Sequence, residues 1–181
     1  MSGAVYFLQK MEVNMYSIGD YVIKSNTGVC QIADIVHLDM DGIDKSRLFY
    51  LMVPLDSRES KLYVPTDKNT EEVRAVISEE EAWALIKHIP EIEEVFVEND
   101  KLRELKYKEV IKSCDLEAVV GIIKSMYNRK RIRNAQGKKN TSVDERYFKL
   151  AEEMLYSELA FAMKKNKDDM CQLIKDTINN S

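Results

Sequence analysis

The sequence has few of the residues that build catalytic or metal sites. Its 181 residues include two histidines, His37 and His88, and three cysteines that stand far apart without CxxC spacing. Isolated histidines with no cysteine or carboxylate at ligand spacing do not predict a metal site. The sequence also has no GxSxG motif, no glycine-rich phosphate loop and no evident Cys–His pair. We therefore expect a protein that is not an enzyme and that needs no cofactor.

Long apolar runs are missing as well. The longest are too short to cross a bilayer, and residues 1–14 lack the positive start and apolar core of a secretory signal. An odd number of widely spaced cysteines is typical of reduced thiols in a cytoplasmic protein. A cleaner pattern begins at Met15, so residues 1–14 are interpreted as an upstream extension or a cloning remnant.

Charge is distributed unevenly along the chain. The net charge of −4 hides a stretch at 101–150 with 14 Lys/Arg against 6 Asp/Glu, and a preceding stretch at 71–100 with 2 against 10. The first carries about +8 and the second about −8. A basic surface of patterned, helical sequence indicates contact with a polyanion. The acidic stretch is interpreted by default as a solvated face.

Period-two patterns fill the first part of the chain. Strands are predicted at 16–24, 29–36, 47–54 and 61–65, with turns at 25–28, 39–45 and 56–60. Four or five short strands at this spacing favour a small antiparallel barrel, closed or nearly closed. We assign this β domain to residues 15–68.

Helical periodicity replaces the strand pattern after Thr66. Capping boxes are predicted at Ser78–Glu81 and Ser142–Glu145, and Asp115 is predicted to cap a long helix that ends in a basic segment. In the helix after Asn99, Leu102, Leu105 and Val110 are expected to point inward, and Phe96 is read as an apolar position. Trp83, the one tryptophan, is expected in the core. An all-α domain is assigned to residues 72–180.

Several motifs, in this order and spacing, resemble the CarD/CdnL family of bacterial transcription regulators. They are Ile18-Gly-Asp-Tyr-Val with Gly28, Lys61-Leu-Tyr-Val-Pro65, Ser113-Cys-Asp115, Ser142-x-x-Glu145 and Ser157-Glu-Leu-Ala160. The first domain is similar to the RNA-polymerase-interacting domain shared with transcription-repair coupling factors. The resemblance implies a Tudor-like or SH3-like barrel that binds the β subunit of RNA polymerase.

The resemblance also implies a polymerase-binding face. Carried over by position, that face comprises Leu38, Lys61, Leu62, Tyr63 and Val64. The residues themselves agree in kind, because a short edge strand can accept a strand from a partner. Leu62 and Val64 have an alternative as barrel core, with Lys61 and Tyr63 on the opposite face. The family often has Arg where Leu38 and Tyr63 stand, so an apolar or aromatic contact is expected there.

The helical domain is implied to contact promoter DNA and to modulate the stability of the open complex. The family inserts a Trp into the minor groove three residues before an Arg; matching that Arg to Arg103 places Asp100 at the Trp position. Backbone phosphates are therefore the main expected DNA target, with minor-groove contact left open. The predicted DNA-binding residues are Lys101, Arg103, Lys106, Lys124, Arg129, Lys130, Arg131 and Arg133.

The sequence leaves two candidate functions that belong to different classes. The first is a monomeric transcription regulator, cytoplasmic and held near the nucleoid through RNA polymerase, that binds polymerase and promoter DNA and has no membrane partner. The second is a protein-interaction adaptor, with the same barrel and a basic helical face that meets an acidic protein surface or RNA. Charge reversal in the 129–133 cluster separates the two.

Overall fold

A computed structural model describes residues 16–67, 73–97 and 99–179, without the side chains of 100, 101, 178 and 179. The predicted extension at 1–14 lies outside the described residues. The first part of the chain forms one antiparallel sheet with the strand order β4-β3-β2-β1-β5. Its strands are β1 (Tyr21–Lys24), β2 (Gly28–His37), β3 (Leu48–Pro54), β4 (Leu62–Pro65) and β5 (Val73–Ala75).

The sheet is curled but open. The strands β4 and β5 form its two edges, and no pairing joins them in the described part of the chain. The predicted antiparallel β module is thus present as a half-barrel, whereas its Tudor-like identity stays a prediction. A register shift between Ile32 and Asp34 on β2 marks a bulge, which bends a strand and increases its twist.

The tight β1–β2 turn depends on glycine. Gly28 has a φ of +91°, a left-handed conformation that L side chains rarely adopt, and it pairs with Lys24 across the hairpin. The strands then place Val22, Ile32 and Met52 in a shared core. The neighbouring residues Ile23 and Val29 point to the opposite face and are buried in a second, smaller cluster.

Five α-helices follow in the described part of the chain. Their bounds are α1 (Glu79–His88), α2 (Asp100–Ser113), α3 (Leu116–Ala135), α4 (Ser142–Ala162) and α5 (Met170–Asn179), with a 3₁₀ turn at Lys167–Asp169 before α5. None of these helices is long and apolar enough to span a membrane. Trp83 on α1 packs, half-buried, against the helical core, as expected.

Two of the three predicted helix caps are confirmed. The Ser78 hydroxyl accepts from the Glu81 N–H, and the Glu81 carboxylate accepts from the Ser78 N–H at 2.7 Å. Asp115 accepts from the first backbone N–H groups of α3. The third prediction is off by one residue, because Thr141, not Ser142, accepts from the Asp144 N–H. Both are hydroxyl residues, so the pattern alone could not separate them.

The predicted inner face of α2 is confirmed for Val110, which is buried, and wrong for the two leucines. Leu102 and Leu105 are 53% and 59% exposed, and Phe96 is fully outside the core and not helical. Val110 belongs to a buried stripe with Tyr107, Ile111 and Cys114, the residue after α2, at i, i+3, i+4, i+7 spacing. Because this stripe includes a tyrosine and a cysteine, it was less visible than the leucines.

The two halves of the chain share a small apolar cluster. Ile23 and Val29 from the sheet pack with Cys114, which follows α2, and the Tyr21 ring lies 4.7 Å from that of Phe161 on α4. The strand β5 pairs with β1, although the second domain was predicted to begin at 72. The sheet therefore continues to Ala75, and α1 begins at Glu79.

Candidate functional site

The strand β4 presents two different faces. Val64 is buried in the sheet core and Leu62 packs against it, half-buried. Lys61 and Tyr63 point the other way, and Tyr63 is 46% exposed. The alternation assigns core packing to Leu62 and Val64, which were also predicted as polymerase contacts, and leaves Lys61 and Tyr63 as outward side chains.

The outer edge of β4 has backbone groups with no strand beside them in the described residues. The Thr66 N–H donates to the Leu48 carbonyl at 3.0 Å, and Tyr63 stands opposite Leu51 in the register. Antiparallel strands alternate between pairs that exchange hydrogen bonds and pairs that do not. Tyr63 falls in the second kind, so its N–H and C=O point away from β3. A partner strand could hydrogen-bond to both groups.

The other predicted polymerase contact lies at a distance from this edge. Leu38 is half-buried and follows the last residue of β2, two strands away from β4. Sequence reasoning missed Arg47, which lies beside the end of β4. Its guanidinium pairs with Asp67 at 2.7 Å and lies over the Phe49 ring. Twenty residues separate Arg47 from Asp67, so only the β3–β4 register brings them together.

The first part of the chain matches a known domain family. The model of the CarD-like/TRCF RID domain matches residues 16–77, which are 62 of the 181 residues. Residues 16–77 form a CarD-like RNA-polymerase-interacting domain. No curated protein matches the chain. The polymerase-interacting domain ends immediately before the N-cap of α1, and it contains both edges of the sheet.

Outside the polymerase-interacting domain, Arg129 on α3 is held by a buried carboxylate. Its Nε donates to Asp144 Oδ2 at 2.9 Å, and the Asp144 side chain is almost fully buried. The Tyr107 hydroxyl donates to the other oxygen of Asp144 at 3.3 Å. Burial, and then the charge of Asp144, raise the pKa of Tyr107, so the phenol remains a donor. This network joins α2, α3 and α4.

Three other predicted DNA contacts have internal positions or partners. Arg103 is buried within the helical part of the protein. The ammonium of Lys124 donates to the carbonyls of Ile89 and Pro90, at 3.1 and 3.2 Å, and to that of Ile92. Arg133 Nε donates to the Lys139 carbonyl at 2.9 Å. Lys124 thus neutralises the carbonyl end of α1 and holds the segment that follows it.

The remaining predicted cations are divided between paired and free. Lys106 pairs with Glu109 at 2.9 Å on the surface of α2, and the Lys101 side chain lies outside the described part. Lys130 and Arg131 are exposed on α3 and have no hydrogen-bond or ion-pair partner among the described residues. Among the predicted DNA contacts whose side chains the structure describes, these two are the exposed ones without an internal partner.

An ion pair between the two halves of the chain was missed. Arg74 on β5 donates through both terminal nitrogens to Glu158 on α4, at 2.5 and 2.6 Å, and through Nε to the Cys114 carbonyl at 2.8 Å. Burial lowers the pKa of Arg74, but the hydrogen bond and charge of Glu158 outweigh that effect and raise it. Arg74 is one of two Lys/Arg residues in the acidic stretch at 71–100. Its position among acidic residues is the sequence signal that could have indicated an ion pair.

No catalytic constellation is visible in the described residues. No group of three His, Cys, Asp or Glu side chains there is placed to hold a metal ion. His88 lies at the end of α1, at the surface, with Nδ1 3.1 Å from Glu91 Oε2. That the protein is not an enzyme stays a prediction.

Proposed function

We propose that this protein is a non-enzymatic transcription regulator that binds the β subunit of RNA polymerase through β4 and promoter DNA through α3. The observation that carries the polymerase half is the open edge of β4 inside the CarD-like domain. The DNA half rests on Lys130 and Arg131, the exposed cations of α3. Bound to both partners, the protein would modulate the stability of the open promoter complex.

Strand addition is the binding mode that fits the geometry of β4. The outward N–H and C=O of Tyr63 can pair with a strand of the β subunit, while its half-exposed ring covers the junction. Val64 contributes to binding indirectly, because its side chain is buried in the sheet core and holds β4 in position. Pro65 has no N–H, so the accessible edge is short, which limits pairing with unintended strands.

Two substitutions at Tyr63 test this mode in the full chain. Tyr63→Ala removes the ring, and Tyr63→Pro removes an N–H that β3 does not use. We expect each to weaken binding to purified polymerase about tenfold or more, equivalent to at least ~1.4 kcal/mol. Affinity is measured by calorimetry or by fluorescence anisotropy with labelled protein.

The matched control is Ile18→Ala. Ile18 is also a well-exposed apolar residue of the polymerase-interacting domain, but it precedes β1, which is separated from β4 by β3 and β2 in the strand order. Its substitution should leave polymerase affinity unchanged. Circular dichroism and thermal melting establish that both Tyr63 variants fold. Wild-type affinity in a folded Tyr63→Pro protein would refute strand addition at β4.

The nucleic-acid half predicts weak binding that depends on salt. Each phosphate neutralised contributes about 0.9 to the slope of log K against log salt on duplex DNA, so two free cations give a slope of about −2. Arg103, Lys124 and Arg129 are left out of this set because they are buried or bonded inside the protein. The affinity for DNA is expected to depend on the charge of the phosphate backbone rather than on the base sequence.

The lifetime of a polymerase–promoter complex tests the DNA half. Lys130→Glu with Arg131→Glu should alter the effect of the protein on that lifetime and keep its affinity for free polymerase. Arg129 should not be included, because its loss would leave Asp144 buried without a counter-charge. An unchanged lifetime effect with both charges reversed would contradict DNA contact at α3.

A second candidate, the protein-interaction adaptor, is favoured by one observation. Leu102 and Leu105 form an exposed apolar face on α2, beside the Lys106–Glu109 ion pair. Apolar surface with paired charges is more typical of a protein contact than of a phosphate contact. Leu102→Ser with Leu105→Ser separates the candidates. Loss of the promoter effect in this variant, with none on charge reversal at Lys130 and Arg131, would favour the adaptor.

A further inference from the structure

A large aromatic side chain lies in the middle of the basic segment of α3. Tyr127 is 63% exposed, and no hydrogen bond or ring contact holds it within the described part of the chain. Its helix is anchored by the neighbouring residue Met126, which lies about 100° around the axis and is buried in the core. The ring is therefore presented on a rigid element, with its face open to solvent.

The two free cations lie on the same side of α3 as this ring. At about 100° per residue, Lys130 and Arg131 fall within about 60° of Tyr127 around the helix axis. Arg129 and Arg133 lie about 160° and about 120° around the axis from Tyr127, and they bond to Asp144 and to the Lys139 carbonyl. Internal contacts thus divide the cluster and leave one aromatic ring flanked by two unpaired cations.

The neighbouring carboxylate does not neutralise this face. Glu94 is bound by the Asn128 amide at 3.1 Å, about 100° around the helix from Tyr127. The face made by Tyr127, Lys130 and Arg131 therefore combines positive charge with an exposed π surface. A carboxylate-rich protein would use the charges but has no group that requires the ring.

We propose that Tyr127, Lys130 and Arg131 bind single-stranded nucleic acid, with an unpaired base stacked on Tyr127 and the flanking phosphates on the two cations. Single strands offer base faces together with phosphates, whereas a duplex keeps its base faces stacked and exposes only edges. This inference deepens the proposed function, on which it rests, because melted promoter DNA supplies unpaired bases near the polymerase.

The test compares single-stranded and duplex probes with the full-length protein. Fluorescence anisotropy is measured with labelled oligothymidine and with a duplex of the same length, for wild type, Tyr127→Phe and Tyr127→Leu. Since stacking is worth about 1–3 kcal/mol per base, Tyr127→Leu should weaken single-strand binding about fivefold or more and spare duplex binding. Tyr127→Phe, which keeps the ring, should retain wild-type affinity.

Ile132→Ala is the matched control. Ile132 is 52% exposed on the same helix but lies about 140° around the axis from Tyr127. Its substitution should not change either affinity. Lys130→Gln with Arg131→Gln should lower the salt slope on both probes by about the same amount. Unlabelled polyglutamate should compete poorly.

Each contrary result has a separate meaning. Equal affinity of Tyr127→Leu and wild type for the single strand, or equal loss on both probes, overturns the proposal and leaves the polymerase and duplex contacts intact. Strong competition by polyglutamate also overturns it, in favour of an acidic protein surface. Binding to neither probe at low salt refutes the nucleic-acid half of the proposed function, while polymerase affinity is measured independently.

Discussion

Substitution of Glu158 tests how firmly the sheet and the helices are joined. The Glu158 side chain is 3% exposed and accepts from both terminal nitrogens of Arg74 and from the Ile77 N–H at 3.2 Å. Glu158→Gln keeps the size of the side chain but removes its charge and puts an N–H donor where one oxygen stood. Arg74 then loses its counter-charge, and one nitrogen loses its acceptor.

The magnitude follows from the burial of the pair. Removing one member of a buried ion pair costs about 3–5 kcal/mol, and water can reach part of Arg74, which is 30% exposed. We therefore expect Glu158→Gln to lower the free energy of unfolding by about 2–3 kcal/mol. Arg74→Met should have a comparable effect. The double variant should lose less than the sum, with a coupling energy of about 2 kcal/mol.

Urea denaturation monitored by circular dichroism gives the four free energies of the cycle. The Lys106–Glu109 pair, which is exposed and three residues apart on α2, serves as the control and should couple by about 0.3 kcal/mol. If the Arg74–Glu158 coupling were also below about 0.5 kcal/mol, the interpretation of this pair as a structural link between the two halves would be wrong.

Two further predictions concern tight packing and buried thiols. Gly121→Ala should lower the melting temperature, because a Cβ there would lie 2.9 Å from the Glu93 carbonyl oxygen. The steric cost of about 1–3 kcal/mol exceeds the gain of about 1 kcal/mol in helix propensity. An unchanged melting temperature would contradict this packing. Burial raises the pKa of the Cys30 thiol from 9.0 to about 11. Iodoacetamide at pH 8 should therefore label Cys171 in the native protein, and Cys30 and Cys114 only after denaturation, as read by mass spectrometry. Because the folded state favours the neutral thiol, the stability contributed by Cys30 is complete below pH 9 and is lost as pH rises through 11; equal native labelling of all three thiols would refute their burial.

Most of the secondary structure could be predicted from the sequence, because helix caps, turns and strand alternation depend on residues that are close together in the chain. The Ser78–Glu81 box and the Asp115 cap act within one helical turn, so the residues alone set where α1 and α3 begin. The β1–β4 strands were likewise marked by alternation between turn residues. The strand β5, with three residues and one partner strand, carries no such signal and was missed.

The candidate site was less accessible to sequence reasoning. A count of positive charges cannot distinguish Arg129, which bonds a buried Asp144, from Arg131, which faces solvent two positions away. Both have the same local composition. The difference arises from the packing of α3 against α4, which fixes the rotation of the helix about its axis. In the same way, α2 packs through Tyr107, Val110 and Ile111, and this leaves Leu102 and Leu105 exposed.

By itself, the sequence determined that a β module precedes a helical one, because the hydrophobic period changes from two to 3.6 near Thr66. It also indicated the polymerase-interacting domain, because the motifs at 18–22 and 61–65 occur in the same order and spacing as in the family it resembles. Only the tertiary structure decided that the sheet is open at β4, that Arg74 joins the two halves, and which cations remain free. The physical reason is that pairing between distant residues depends on how the elements pack, and neither composition nor periodicity encodes the partner of a charge.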